Sequence, residues 1–452
     1  MTLTVLNPAT EEPIAELEQA GVEAADAAVA RAKEAFPAWR AVAPGDRARL
    51  LRNVAELVEE HGEELARIES RNVGKPISGA RGEVGMVAQV FHFYAGAVDK
   101  HHGETIPAAG GVAATFREPL GVVGSIVPWN FPLNIASWKL GPALACGNTV
   151  VLKPAELTPL SALRLAELCL EAGIPEGVVN VLVGKGSVVG QRLIEHPDVA
   201  KIGFTGSTDV GRLVMQGAAA TIKRVTLELG GKSANVIFGD ADLERAAAAA
   251  PYAVFDNAGQ DCCARSRIIV QRSVYDRFLE LLVEATKGVR VGDPSEEETE
   301  MGPLISAAHR ETVSSFLDDS VDIVFQGDAP SGAGYWFPCT LVEATNDDHI
   351  AREEVFGPVA AVIPFDDEAD AIRIANDTPY GLSGSIWTRD GARALRVARA
   401  IEAGVLSINA NSSVRVQTPF GGFKQSGFGR ELGMQALDGY SEVKSVFIST
   451  DG

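Results

Sequence analysis

Apolar and polar positions follow two rhythms along this chain, and one replaces the other near residue 120. Over 21–40, 46–72 and 83–100 apolar residues return every three or four positions between charged faces, so the first hundred residues read as helices. From Gly121 short Val/Ile-rich runs take over, at 121–127, 149–152, 178–183, 201–204 and 224–229. Stretches with helical spacing lie between them, at 135–146, 159–172, 187–196 and 208–219. Such alternation predicts a parallel, doubly wound sheet. A second series, at 234–238, 266–271, 360–364 and 384–387, predicts another α/β unit with its own sheet. Segments 101–119 and 441–450 fit neither series. Both alternate Thr, Val and Phe with polar residues like exposed strands, whose open edges invite pairing with another chain.

Composition narrows the classes. A chain of 452 residues is long enough for two or three domains, and 46% apolar with 6% aromatic residues is ordinary for a globular protein. A net charge of −20 argues against nucleic acid as a partner, because counterion release needs clustered Lys and Arg. The five cysteines, Cys146, Cys169, Cys262, Cys263 and Cys339, have no disulfide-framework spacing and suit a reducing compartment. Residues 1–8 lack the basic start and apolar core of a secretory leader. Between Glu118 and Lys139 the chain is uncharged, but Pro119, Pro128 and Pro132 with Asn130 and Asn134 speak against a membrane span. A cytoplasmic protein with no membrane or nucleic-acid partner is expected. The acidic run 293–300 reads as a solvated loop.

Candidate chemistry centres on Gly259-Gln260-Asp261-Cys262 and on Glu228, in Leu227-Glu228-Leu229-Gly230-Gly231-Lys232. An isolated Cys is usually a small buried hydrophobe. A thiol beside small and polar residues, with an acid to activate water and an amide to hold an oxyanion, instead suits covalent chemistry on a carbonyl carbon. Glycines and hydroxyls at two strand-to-helix turns, Gly184-Lys185-Gly186-Ser187 and Phe204-Thr205-Gly206-Ser207, offer amides for a pyrophosphate, although each alone reads equally well as a helix cap. Lys153-Pro154-Ala155-Glu156 follows a strand directly, where ligands sit in such sheets, and its lysine and carboxylate suit ribose hydroxyls. A carboxylate there repels a 2′-phosphate, so NAD is favoured over NADP.

Together these segments identify a resemblance covering almost the whole chain. Val127-Pro128-Trp129-Asn130-Phe131-Pro132-Leu133, Lys153-Pro154-Ala155-Glu156, Phe204-Thr205-Gly206-Ser207-Thr208, Glu228-Leu229-Gly230-Gly231-Lys232, Gly259-Gln260-Asp261-Cys262, Glu353-Glu354-Val355-Phe356-Gly357-Pro358 and Pro419-Phe420-Gly421-Gly422-Phe423-Lys424 resemble, in order, the aldehyde dehydrogenase superfamily. Members commonly carry a further hairpin before the segment matching 7–10. The resemblance implies Cys262 as nucleophile, Glu228 as general base for deacylation, and Asn130 with the Cys262 backbone N–H as oxyanion hole. Cys263, off the motif position, reads as structural. Lys139 and Glu431 match a pair linked to proton movement behind the base. Trp129, Lys153, Glu156, Gly186, Thr205, Gly206, Ser207, Leu229, Glu354 and Phe356 fall at cofactor-holding positions. The implied fold is a Rossmann-like cofactor domain (1–100 and 120–230), a second α/β catalytic domain (231–435) and a small β oligomerisation domain (101–119 and 436–452), in a homodimer or homotetramer. No metal is expected.

Rival readings explain less. A Cys hydrolase needs a histidine base, and none of the seven histidines lies near Cys262 in sequence. A CoA-acylating or phosphorylating relative gains nothing from a water-activating Glu228. An inactive binding protein on this scaffold has no use for intact Cys262, Glu228 and Asn130. For the substrate, Asp256 stands six residues before Cys262, where members acting on succinic semialdehyde often carry arginine. That favours neutral or cationic aldehydes such as aminoaldehydes or betaine aldehyde, with Trp138 as a possible aromatic face for a cation. Arg415, in the loop before Phe420 that borders the family's substrate tunnel, pulls toward a carboxylate.

Overall fold

The computed structural model describes residues 2–412 and 414–450; Met1, Ser413, Asp451 and Gly452, the last two within the expected association segment 436–452, lie outside the described residues. Helices Val22–Arg40, Pro44–Glu60, Gly62–Val73 and Ile77–Ala97 form where helical spacing predicts them. The 46–72 run divides at His61, which leaves helical geometry (φ −91°, ψ 19°) between two helices. The first residues correct the helical reading: Thr2–Leu6 and Pro13–Glu18 pair antiparallel as a hairpin around 7–10. Only Val5 among those strand residues is buried, so the apolar period that announces a strand is nearly absent.

A six-stranded sheet runs in the order Gly427–Phe428, Arg224–Glu228, Val199–Thr205, Val122–Ile126, Thr149–Lys153, Val179–Val181. All neighbours are parallel except Gly427–Phe428, which adds antiparallel to Leu227 and Glu228 from two hundred residues further along. Val122–Ile126 and Thr149–Lys153 are buried at every position, as expected of parallel strands covered on both faces. The chain builds outward from Val122–Ile126 to one side, then crosses to the other at Val199–Thr205. That reversal leaves a crevice at the strand ends, where open α/β sheets hold ligands. Register aligns those ends, with Ile126 beside both Lys153 and Phe204, and Thr205 beside Glu228. Helix Pro132–Ala145, buried along its whole length, carries Lys139 inward.

The second sheet has seven strands, ordered Asp322–Gln326, Thr340–Glu343, Val359–Phe365, Arg267–Gln271, Ala234–Ile237, Ser383–Trp387, Val405–Ile408. Only Asp322–Gln326 pairs antiparallel. It lies at one edge, with Thr340–Glu343 beside it and Val405–Ile408 at the other edge; these three short strands escape the sequence reading. The two unassigned segments find each other: Thr105–Ala108, Gly111–Pro119 and Ser441–Ser449 form an antiparallel three-stranded sheet.

One buried ionic group frames the site. Lys75 Nζ lies 3.0 Å from Glu69 Oε2 and 2.6 Å from Glu83 Oε2, tying two helices together, and sits 4.7 Å from the Phe131 ring centroid. Burial pushes the Glu83 carboxyl up to about 8; Lys75 opposes the rise, and the Glu69 and Asp256 charges add to it.

Candidate active site

Glu228 ends strand Arg224–Glu228 at the crevice. It is 3% exposed, and neither carboxylate oxygen has a hydrogen-bond partner among the described residues. The salt bridge to Lys232 that would make it merely structural does not form. Burial first, then the Glu431 charge, raise its pKa well above the ordinary carboxylate value, against opposition from Lys139 and Arg430.

Cys262 arrives on a strained loop. Helix Leu243–Phe255 gives way to Asp256–Gly259, in which Asn257 (φ 49°), Ala258 (φ 57°) and Gly259 (φ 71°) are all left-handed. Such backbone costs on the order of 1–3 kcal/mol per non-glycine residue and persists only when its surroundings over-determine it. Here amides do so. Asn257 Nδ2 donates to the Asn130 carbonyl, Asn130 Nδ2 to the Gln260 carbonyl, and Gln260 Nε2 to the Asn257 carbonyl, each at 2.9 Å. Gln260 Oε1 accepts from the Ile305 N–H, so this fully buried side chain clamps the turn from both ends. At Gly259 an added Cβ would lie 2.2 Å from the Gly357 carbonyl oxygen, so only glycine fits.

The Cys262 thiol rests protonated. A hydrogen bond donated by the Cys262 S–H to Cys263, then burial, then the charges of Cys263, Asp261 and Glu354 raise its pKa well above the ordinary thiol value. The thiols of Cys262 and Cys263 and the Asp261 carboxylate lie within 4.8 Å of one another. A thiol becomes a nucleophile either by being acidic or by losing its proton to a base; this environment disfavours the first.

A cavity of about 670 Å³ unites the two halves. Cys262, Glu228 and Asn130 line one part of it. Trp129, Lys153, Glu156, Thr205, Gly206, Ser207, Leu229, Glu354 and Phe356 are also among its lining residues. Gly186 stands behind this wall and donates its N–H to Glu156 Oε1 at 3.1 Å, holding that carboxylate in place. Ser207 caps helix Thr208–Ala219 through the Val210 N–H. Lys153 Nζ donates to the Pro154 carbonyl at 2.8 Å, and burial lowers its pKa. Glu354 Oε1 accepts from the Gly231 N–H at 2.9 Å; burial raises the Glu354 carboxyl to about 7. Trp129, His309 and Phe356 pack edge to face. His309 Nε2 is 2.8 Å from the Phe356 carbonyl and must donate to it, which occupies that nitrogen.

The family model described as "Aldehyde dehydrogenase family" matches residues 1–446. The chain belongs to the aldehyde dehydrogenase family. An aldehyde dehydrogenase of Aspergillus niger is 44% identical over 453 residues, covering 98% of this chain and 91% of that one. Betaine aldehyde dehydrogenase of Bacillus subtilis is 42% identical over 460 residues, 99% of this chain and 94% of that one. The crystal structure of PnpE in complex with nicotinamide adenine dinucleotide superposes with a TM-score of 0.98 at 46% identity, covering 100% of this chain and 95% of that one. This aldehyde dehydrogenase is therefore an oxidoreductase acting on aldehydes, with the α/β fold expected of it.

Other expected positions fall away from that cavity wall. Lys139 and Glu431 lie behind Glu228 as a buried pair, Nζ to Oε1 2.5 Å. Trp138 and Phe420 are buried and pack edge to face, with ring centroids 5.1 Å apart, within the core cluster that also touches Cys262. Asp256 reaches solvent from a crowded recess; burial, then the Asp261 charge, raises its carboxyl to about 6. Arg415 is exposed and turns back, donating to the Ser412 carbonyl at 3.1 Å. Sequence reasoning in this aldehyde dehydrogenase missed Asn257 and, while naming Gln260 in its motif, gave it no role of its own; both bond to Asn130 and hold the loop. A polar amide on each side of Ala258-Gly259 was the available signal.

Gly231 tests the seating. A Cβ there would sit 2.3 Å from the Cys262 carbonyl oxygen, so Gly231→Ala must displace the thiol. Aldehyde turnover should fall roughly 10²-fold, as for a misplacement of about 1 Å, while circular dichroism stays native. Wild-type kcat/KM in that variant would show that the thiol does not depend on this contact.

Proposed function

We propose that this protein oxidises a neutral or cationic aldehyde to its carboxylic acid with NAD, through an adduct on Cys262 and then a thioester. The observation that carries the reading is one cavity holding Cys262, an unpartnered Glu228 and Asn130, continuous with a wall of dinucleotide-binding character. The residues fit that cofactor. Thr205 Oγ1 is buried with no partner, and Lys153 spends only one donor on its own backbone. The first-turn amides of helix Thr208–Ala219 suit a pyrophosphate, and Lys153 and Glu156 suit ribose hydroxyls. When bound, the oxidised dinucleotide supplies the hydride acceptor.

The chain's own residues do the remainder. Glu228, as carboxylate, takes the Cys262 proton as sulfur attacks the carbonyl carbon, and gives that proton up to solvent through the open cavity before hydrolysis begins. Asn130 Nδ2 has a second N–H beside the one given to Gln260, and with the Cys262 backbone N–H it stabilises the oxyanion. After the thioester forms, the Glu228 carboxylate removes a proton from water, the hydroxyl oxygen bonds to the acyl carbon, the C–S bond breaks, and the departing sulfur takes the proton from Glu228, so that acid and thiol are released. Residues 1–100 and 120–230 hold the cofactor in this reading, 231–435 bring the thiol, and 101–119 with 436–452 serve association.

Acidic groups support the lean in substrate class. Glu69, Glu83, Asp256 and Asp261 gather around the single Lys75 beside Phe131, and exposed Arg415 donates one N–H to the Ser412 carbonyl. In a panel of 4-aminobutyraldehyde, betaine aldehyde, succinic semialdehyde and hexanal, the cationic aldehydes should show the highest kcat/KM, without CoA or phosphate. Cys262→Ala should abolish NADH formation. Preference for the semialdehyde would reverse the lean, and undiminished turnover in Cys262→Ala would end the whole reading.

Glu156 is pinned by Gly186 where a 2′-phosphate would need room. Glu156→Ser should therefore raise the NADP to NAD ratio of kcat/KM; an unchanged ratio would remove the electrostatic argument for NAD.

The three-stranded sheet supports association with a second copy. Ile106, Phe116, Val443, Val446, Phe447 and Ile448 are exposed on it, and strand Ser441–Ser449 has an open edge. A homodimer or homotetramer covers this apolar face. Light scattering should give a multiple of 47.6 kDa for the native chain and the monomer mass for Phe447→Lys with Ile448→Lys; a monomeric native chain would refute this.

A further inference from the structure

A second cavity, of about 360 Å³, shares no residue with the one that holds Cys262. It opens where helices Val22–Arg40 and Pro44–Glu60 meet the three-stranded sheet, and Arg40, Arg47, His101, Arg117 and Glu118 are among its lining residues. Among those residues and their ion-pair partners, four cations, Arg40, Arg47, Arg117 and Lys444, stand against two carboxylates, Glu118 and Asp438. That local excess persists in a chain whose net charge is −20. His101 registers it: burial first, then Arg117, hold its pKa below the ordinary histidine value, with Asp438 opposing.

Arg47 is the group that calls for a ligand. It is 8% exposed and, among the described residues, has no carboxylate within ion-pair distance. Nη1 donates to the Ala145 carbonyl at 3.0 Å, and Nη2 to those of Arg40 and Val42 at 3.3 and 2.9 Å. These bonds clamp the ends of helices Val22–Arg40 and Pro132–Ala145, and they leave Nε buried with no partner. A guanidinium taken out of water without a counter-charge is costly. Beside it, helix Pro44–Glu60 begins at the cavity wall, which Ala43 and Pro44 help to line, and no side chain caps its first-turn amides. Arg40 meets Glu118 and Arg117 meets Asp438, each at 2.9 Å, and each guanidinium has further N–H groups beyond that contact. Guanidinium groups and the open amides of a helix start are complementary to one ligand chemistry, an anion with several acceptor oxygens.

We propose that this cavity binds a phosphate group, free or carried by a small ester, between Arg40, Arg47, Arg117 and the start of helix Pro44–Glu60. The bound group supplies the counter-charge that Arg47 lacks. Because Arg117, Pro119 and Ser441 line the same cavity, it also joins the helices to strands Gly111–Pro119 and Ser441–Ser449 and stabilises the attachment of the three-stranded sheet. It takes no part in aldehyde oxidation.

The test is calorimetric titration with inorganic phosphate and with glycerol 2-phosphate, on protein saturated with NAD so that the pyrophosphate site is filled. Both should bind, and each should raise Tm above its value in sodium chloride of equal ionic strength. Either ranking supports the proposal: equal affinity means that the phosphate alone is held, and tighter binding of the ester means that the rest of the cavity is used. Arg40→Gln combined with Arg117→Gln should weaken binding roughly tenfold or more by removing charge-assisted donors, with NADH formation from aldehyde unchanged. Should that pair not fold, Ala43→Asp serves. Ala43 already has the extended backbone of a capping residue (φ −58°, ψ 143°), so an aspartate there caps the helix, raises Tm by itself and excludes phosphate. A Tm shift no larger than that given by chloride, or undiminished affinity in either variant, would overturn the proposal.

Discussion

A carboxyl group buried without a partner is the constraint around which this structure is arranged. Leaving Glu228 charged in that place is expensive, so burial raises its proton affinity and makes its carboxylate form strongly basic. The nearest charges do not cancel the cost. Glu431 already has Lys139 at 2.5 Å, and its field pushes the Glu228 proton affinity higher still. A well-packed apolar strand end would be more stable, so the arrangement makes sense as reactivity kept at the expense of stability.

The thiol is treated in the opposite way to a preformed thiolate. Cys263, Asp261 and Glu354 all disfavour its ionisation, and its loop stores backbone strain in consecutive left-handed residues. That strain is held by bonds which cross between the two large sheets' territories, Asn257 Nδ2 to the Asn130 carbonyl and Asn130 Nδ2 to the Gln260 carbonyl. The base and the cofactor wall come from strand ends of one sheet, the sulfur from a loop leading into the other. Hydrogen bonds of side-chain amides fix the thiol loop against Asn130, and such bonds keep their geometry when nearby groups gain or lose protons.

Much of this was legible before any coordinates. Alternating Val/Ile runs and amphipathic stretches specify a parallel sheet because burial on both faces demands continuous apolar strands. The motifs named Cys262, Glu228 and Asn130 and nearly every residue on the cavity wall. What escaped were elements with weak pattern: the hairpin at Thr2–Leu6 and Pro13–Glu18, and the short strands Asp322–Gln326, Thr340–Glu343 and Val405–Ile408.

Residue order alone determined the α/β class, the family and which groups are candidates to react, because periodicity and motif spacing are local properties. Tertiary structure decided how those groups behave. Whether Glu228 pairs with Lys232 or stands alone, whether Cys262 rests as thiol or thiolate, and whether Arg415 faces the substrate or turns to Ser412 depend on burial and on neighbours hundreds of residues away. Proton affinity is set by the whole surrounding field, and no stretch of sequence contains that field.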